Sequence, residues 1–432
     1  MTAQLRTYKE RLKTLSELIV VAQKPIRILD AIKWLPETDE KILKSKFKDI
    51  PKIDKAYYEQ YSLGMNPEKK VEEFDQIIAK IKLELGEGDA LGQYMVTMCE
   101  EYKDVVHMLK ARGTKDFYKY SKKLYGSPKE TFADDQTTVK ELALVMYDIL
   151  SRINDTMLGH SYPKTLTSEK VVDTLNKRFA EYFTEDHVTS VLSDGIVADA
   201  AAGADKVKIN HGSFFSERDV QILEVHEGWV HVGTTINGAN QHIIKCLSKG
   251  TPRTTPTQEG LAVLMEVFTF STYPRRARKI NHRVLGIDKA EDGADFMDLV
   301  EFFRTEGHTE EDCLQSAKRI VRGGMMNGGA PFTKDISYIK GFIENYNFIR
   351  AAMKAGRPEL IPFLFVGKVT VRDVPIFYKK FKEGIIDLPR YLPPQFKDLN
   401  GVAVWMSFSN VFNMINMKKV QESFASLFEE SR

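Results

Sequence analysis

Apolar residues recur at three- and four-residue spacing through most of the first 165 residues, as around Leu12 to Ala22, Val71 to Glu84 and Leu91 to Leu109. That period places them on one helix face and predicts helix after helix. No two-residue alternation and no internal repeat interrupts it, and Gly113 and Ser127-Pro128 mark breaks between helices. A further helix is expected from about Ser168 to Phe183, with Val171, Val172, Leu175, Phe179 and Tyr182 on one side. The pattern then changes. Three short strand-like pieces follow, around Val188 to Ser193, Ile196 to Ala200 and Lys206 to Ile209, with Asp194-Gly195 as a hairpin turn. Beyond them the chain returns mainly to helix. The fold class expected is α+β and predominantly helical, with a helical N-terminal domain over 1–165 and a second domain over 166–432.

Composition narrows the function classes. Apolar residues make up 43% and charged residues 28% of the 432, so a packed globular core is expected rather than disorder. A net charge of +2 gives no reason to expect a nucleic-acid or membrane-surface partner. Cys99, Cys246 and Cys313 are far apart and form no C-x-x-C pair, which suits a reducing, cytoplasmic setting. The N-terminal residues form a charged helical pattern, not a secretory signal. The serines and asparagines of GVAVWMSFSNVFNMINM (401–417) argue against a membrane span.

The candidate chemistry sits just after the strands, in HEGWVH, residues 226 to 231. Its helix has a clear start: Ser216 as N-cap, Asp219 completing a capping box, and Phe215 placed to staple to Val220. Asn237-Gly238 offers a stop. In H-E-x-x-H two imidazoles stand about 40° apart around the helix and reach one zinc ion. Here one more residue intervenes, and on an ideal α-helix the pair diverges by about 140°. Either these are two histidines on opposite sides of an ordinary helix, or a one-residue π bulge restores the angle. Gly228 lies inside the interval, where it eases such a bulge or clears space for substrate. The best third ligand is Glu259 in TPTQEGLAVLMEV (255–267), where Thr255, Pro256 and Gln258 read as a capped helix start. A carboxylate in that first turn stays ionised and suits a cation. His107, His160, His187, His211, His242, His282 and His308 have no ligand spacing, and Val225 and Trp229 read as packing.

Together HEGWVH, Asn240-Gln241 and QEGLA resemble the bacterial QEGLA-motif family, labelled flavohaemoglobin-expression modulators. They are similar also to the microtubule-associated tyrosine carboxypeptidase family, zinc enzymes that remove a C-terminal tyrosine. ARGTKDFYKYSKKLYGSP (111–128) and GGAPFTKDISYIKGF (328–342) fit the same pattern, so the resemblance runs from about residue 20 onward. The longer spacing occurs also in dipeptidyl peptidase III. The resemblance implies a zincin-like core, zinc held by His226, His231 and Glu259, and Glu227 as general base. It implies a peptide or protein C-terminal tail as substrate. A carboxypeptidase also needs a cation for the substrate carboxylate. RIVRGGMMNGGAPFTKDISY offers Arg319, Arg322 and Lys334, with Tyr338 as oxyanion donor, and Lys208 on the preceding strand is a further candidate. Two other functions stay open: a non-catalytic zinc-containing regulatory or scaffold protein, and a zinc endo- or dipeptidyl-peptidase. Oligomeric state is not legible.

Overall fold

The computed structural model describes residues 3–132, 136–153, 158–159, 162–194, 196, 198–412, 414–422 and 424. His160 and Gly195 lie outside them. Long helices Ala3–Gln23, Pro67–Leu85 and Ala90–Lys110 occupy the stretches where the apolar period is strongest. Their inner faces, including Leu12, Leu15, Phe74, Ile77, Met95 and Cys99, enter one buried cluster that continues to Met406. That cluster also takes in Val225 and Val230 of the HEGWVH helix and Leu261, Leu264 and Met265 of the QEGLA helix. The first 165 residues therefore build part of the wall against which the candidate site is packed.

Among the described residues, five short strands lie before the motif. β1 (Leu166–Thr167) pairs antiparallel with β5 (Phe214–Phe215). β2 (Thr189–Ser193), β3 (Ala200–Ala202) and β4 (Lys206–Asn210) form a sheet in the order β2-β4-β3. The sequence suggested a hairpin across Asp194-Gly195, but the flanking strands do not pair with each other. β2 runs parallel to β4, in register from Thr189–Lys206 to Ser193–Asn210. The hairpin is instead β3–β4, closed where Gly203 N–H meets the Lys206 carbonyl, and β3 begins at Ala200 rather than near Ile196. The physical reason is burial. Val207 and Ile209 alternate as fully buried residues, so β4 takes the centre, whereas the small side chains of Ala200–Ala202 suit an edge. Helix Ser168–Tyr182 covers this sheet through Val171, Leu175 and Phe179.

The motif helix starts as expected. Ser216 Oγ accepts from Asp219 N–H and Asp219 Oδ2 accepts from Ser216 N–H, while Phe215 and Val220 share one buried cluster. It does not stop at Asn237-Gly238 but continues to Ala239. Asn237 is buried, its amide donating to the carbonyls of Phe365 and Tyr391. A Cβ on Gly238 would stand 2.4 Å from the Leu247 backbone, so this glycine serves a close crossing. The QEGLA helix, Thr255–Phe268, likewise departs from expectation at its start. Thr254 is the N-cap and makes no side-chain cap, and Gln258 closes no capping box with Thr255.

Gly260 of that helix faces Gly341 on helix Ser337–Lys354, and a Cβ on Gly260 would lie 2.0 Å from the Gly341 carbonyl carbon. Backbone meets backbone here, and this contact fixes the depth at which Glu259 sits. Gly260→Ala is expected to destabilise the fold by about 3 kcal/mol, read from the midpoint of urea unfolding. Gly401→Ala, with open space around it, should be neutral or stabilising by about 0.5 kcal/mol. An unchanged midpoint for Gly260→Ala would contradict the packing.

Candidate metal centre

The helix carrying HEGWVH is not uniform. Glu217–Leu223 is α-helical, Glu224–Val232 is π-helical, and Gly233–Ala239 returns to α. In a π turn the hydrogen bond spans five residues, which brings positions i and i+5 to the same side. His226 and His231 consequently face each other, with ring centroids 4.9 Å apart and planes at 82°. Gly228 does not open onto substrate space. A Cβ there would be 2.4 Å from Phe179 Cε1, so the widened turn is seated on the helix that covers the sheet. Trp229 stacks on Tyr182 and Val225 is core.

Glu259 completes the group. Its Oε2 lies 3.6 Å from His226 Nε2 and 3.6 Å from His231 Nε2. Those separations exceed a hydrogen bond. They are close to the ~3.3 Å between ligands that each stand ~2.0–2.1 Å from a tetrahedral ion. Among the described residues, His226, His231 and Glu259 are the one such group, all ligand atoms within 4.8 Å. Two imidazole nitrogens and a carboxylate form a donor set that fits a borderline divalent cation with one position left open.

The surrounding charges orient these donors. His226 Nδ1 is 2.7 Å from Glu266 Oε1. Glu266 is fully buried and is gripped by Arg276, Nε to Oε2 at 2.6 Å and a terminal nitrogen to Oε1 at 2.5 Å. Burial alone would raise the Glu266 carboxyl, but Arg276 and His226 outweigh it and hold it at about 2. Burial likewise disfavours a charged His226, yet Glu259 and Glu266 outweigh it and lift the imidazole to about 9. Glu259 is kept well below the usual carboxylate range, with Lys334 the main cause opposing burial, and Lys334 Nζ donates to its Oε1 at 2.7 Å. Lys368 Nζ donates to the His231 carbonyl at 2.8 Å and to Gln258 Oε1 at 2.8 Å, and burial brings its ammonium down to about 7. Gln258 thus braces the His231 turn.

Glu227 points from the same π turn toward the sheet, where its Oε2 accepts from Ala202 N–H of β3 at 3.0 Å. Glu227, Glu259, Lys334, Tyr338 and Arg319 all line a cleft of about 1,420 Å³. Tyr338 stands with its ring centroid 6.4 Å from that of His226, and burial pushes its phenol up to about 12. Arg319 is committed to Asp335, at 2.6 and 2.8 Å. Arg322 is buried over the Phe332 ring and does not line the cleft, and Lys208 is exposed on β4, also outside it. His282 and His308 contact each other at 2.9 Å, His242 meets Asp387 and His211 meets Asp194. Sequence reasoning missed Glu266, Arg276 and Lys368. Only Glu266 left a signal: it stands seven residues after Glu259, two turns along one helix face.

A family model described as microtubule-associated tyrosine carboxypeptidase matches residues 40–414. A comparison with curated proteins finds no match. Among solved structures, a putative lipoprotein from Colwellia psychrerythraea aligns with TM-score 0.41 at 12% identity, covering 89% of this chain and 77% of that chain.

Glu266→Gln is expected to weaken divalent-metal affinity about 10–100-fold, measured by chelator competition; native affinity would remove Glu266 from the site's support. Because metal displaces the His226 proton held to about 9, apparent affinity should rise with pH, by up to about tenfold per unit below that value, and level off above it. A flat profile from pH 6 to 9 would contradict that coupling.

Proposed function

The chain belongs to the microtubule-associated tyrosine carboxypeptidase family, and from that premise we propose that it is a zinc metallocarboxypeptidase with a zincin-like core. Family membership supports peptidase chemistry on a peptide or protein substrate. The observation that carries the finer reading is the convergence of His226, His231 and Glu259 beside Glu227 in one cleft. A purely structural zinc site has no use for an added carboxylate such as Glu227. Within the QEGLA stretch, Gln258, Glu259 and Gly260 each have a distinct task in the geometry. Residues 1–165 serve as helical scaffold and 166–432 as the catalytic part. Among the described residues no helix is long and apolar enough to cross a membrane, and the three cysteines are buried and unpaired. Both fit a cytoplasmic peptidase.

When bound, zinc supplies a Lewis acid that brings the pKa of water near neutrality. Glu227 is placed to take the proton of the attacking water. Its Oε2 is fixed by Ala202 N–H, leaving the other oxygen for that proton and for its later delivery to the leaving amine. Tyr338, protonated because burial holds its phenol at about 12, donates toward the developing oxyanion. Arg319 and Lys334 are paired with Asp335 and Glu259 and hold those carboxylates in place at the cleft floor. The edge of β3 beside Glu227 offers backbone groups for an extended chain. Tyrosine as the released residue is the family's preference carried to this chain.

Zinc-loaded protein should release tyrosine from a C-terminal tyrosine peptide, and Glu227→Gln should lower kcat about 10²–10⁴-fold with zinc still bound. Bound zinc with no release of any C-terminal residue would leave a scaffold. Cleavage of peptides amidated at the C-terminus would show an endopeptidase instead.

A further inference from the structure

Helix Pro274–Glu291 lays Arg275, Arg276, Lys279 and Arg283 along the cleft. Most of the cleft's inner cations already have a carboxylate. Arg276 has Glu266, Lys279 has Asp312, Lys334 has Glu259 and Arg319 has Asp335. Arg283 differs. Its side chain is 15% exposed and its Nε is buried without a hydrogen-bond partner. Its ion-pair contact is with Asp335 Oδ2 at 3.8 Å, too long for a hydrogen bond and to an oxygen that already accepts from Arg319. Burial and the neighbouring Arg319 guanidinium depress its pKa to about 10, the mark of a cation short of negative charge. Arg322 shares that shortage but lies outside the cleft, on the Phe332 face.

A guanidinium with free donors, lining the same cleft as His226, His231 and Glu259, is suited to receive a planar anion. Seating a divalent ion among His226, His231 and Glu259 would add positive charge to the same floor and strengthen that demand. We propose that Arg283 binds the free α-carboxylate of the substrate's last residue, so that the cleft selects unblocked C-termini. The assignment rests on the peptidase reading for the identity of the ligand, and it displaces Arg322 and Lys208 as anchors.

The test uses zinc-loaded Glu227→Gln protein and an N-terminally labelled peptide ending in tyrosine, as free acid and as amide, with binding read by fluorescence anisotropy. The acid should bind about 10–100-fold more tightly than the amide. Adding Arg283→Gln should bring that ratio to about one with amide affinity unchanged, and Arg283→Lys should keep part of it. Zinc content and melting temperature should hold in both, since Asp335 retains Arg319. A ratio that survives Arg283→Gln, or a loss shared equally by acid and amide, overturns the anchor. Failure of both peptides to bind overturns anchor and peptidase reading together. Acid preference that depends on Arg283, in a wild type that releases no residue, keeps the anchor and sinks the peptidase alone.

Discussion

Two imidazoles five residues apart cannot share one ion on an ordinary α-helix, and the site depends on how the chain removes that obstacle. Residues Glu224–Val232 widen to a π turn, which swings His231 back beneath His226. A π turn is rare and needs support from outside itself. Val225 and Val230 anchor it in the main core, Val232 in the sheet core, and Gly228 lets Phe179 press against its backbone. Lys368 ties the His231 carbonyl to Gln258 of the neighbouring helix. The helices of the first 165 residues matter to the site in this sense: they are part of the mould that keeps the turn widened.

Electrostatics completes what packing begins. A line of alternating charge runs Arg276, Glu266, His226, Glu259, Lys334, nearly all of it shielded from water. In a buried setting each member fixes the protonation and rotamer of the next, and removing one leaves its neighbour uncompensated. Glu266 therefore positions His226, while Lys334 both holds Glu259 in place and keeps it ionised. Arg283 stands apart from this line because it shares Asp335 with Arg319 and makes no hydrogen bond to it.

Local features were legible in the sequence. The capping box at Ser216 and Asp219, the helix over Ser168–Tyr182 and the choice between divergent histidines and a π bulge all follow from near neighbours. Features set by distant partners were not. Gln258 reads as a capping residue beside Thr255, yet it bonds Lys368, 110 residues away. Asp194-Gly195 reads as a hairpin turn, but burial of Val207 and Ile209 decides which strand is central. Lys208 lies on the strand before the motif, and a two-residue period sends it outward while its neighbours Val207 and Ile209 go in. Gly341 gives no hint in sequence that it touches Pro256 and Gly260. Arg319 and Arg322, at the end of helix Glu310–Val321, look alike in sequence until the fold seats one in the cleft and the other behind Phe332.

The most direct measurement is X-ray absorption at the zinc edge of the zinc-loaded protein, compared with its His231→Ala variant. A widened turn that unites the two histidines should give two imidazole nitrogens plus oxygen ligands at ~2.0–2.1 Å, falling to one imidazole in the variant. A shell with a single imidazole in wild type, unchanged by His231→Ala, would mean that the two histidines do not share an ion.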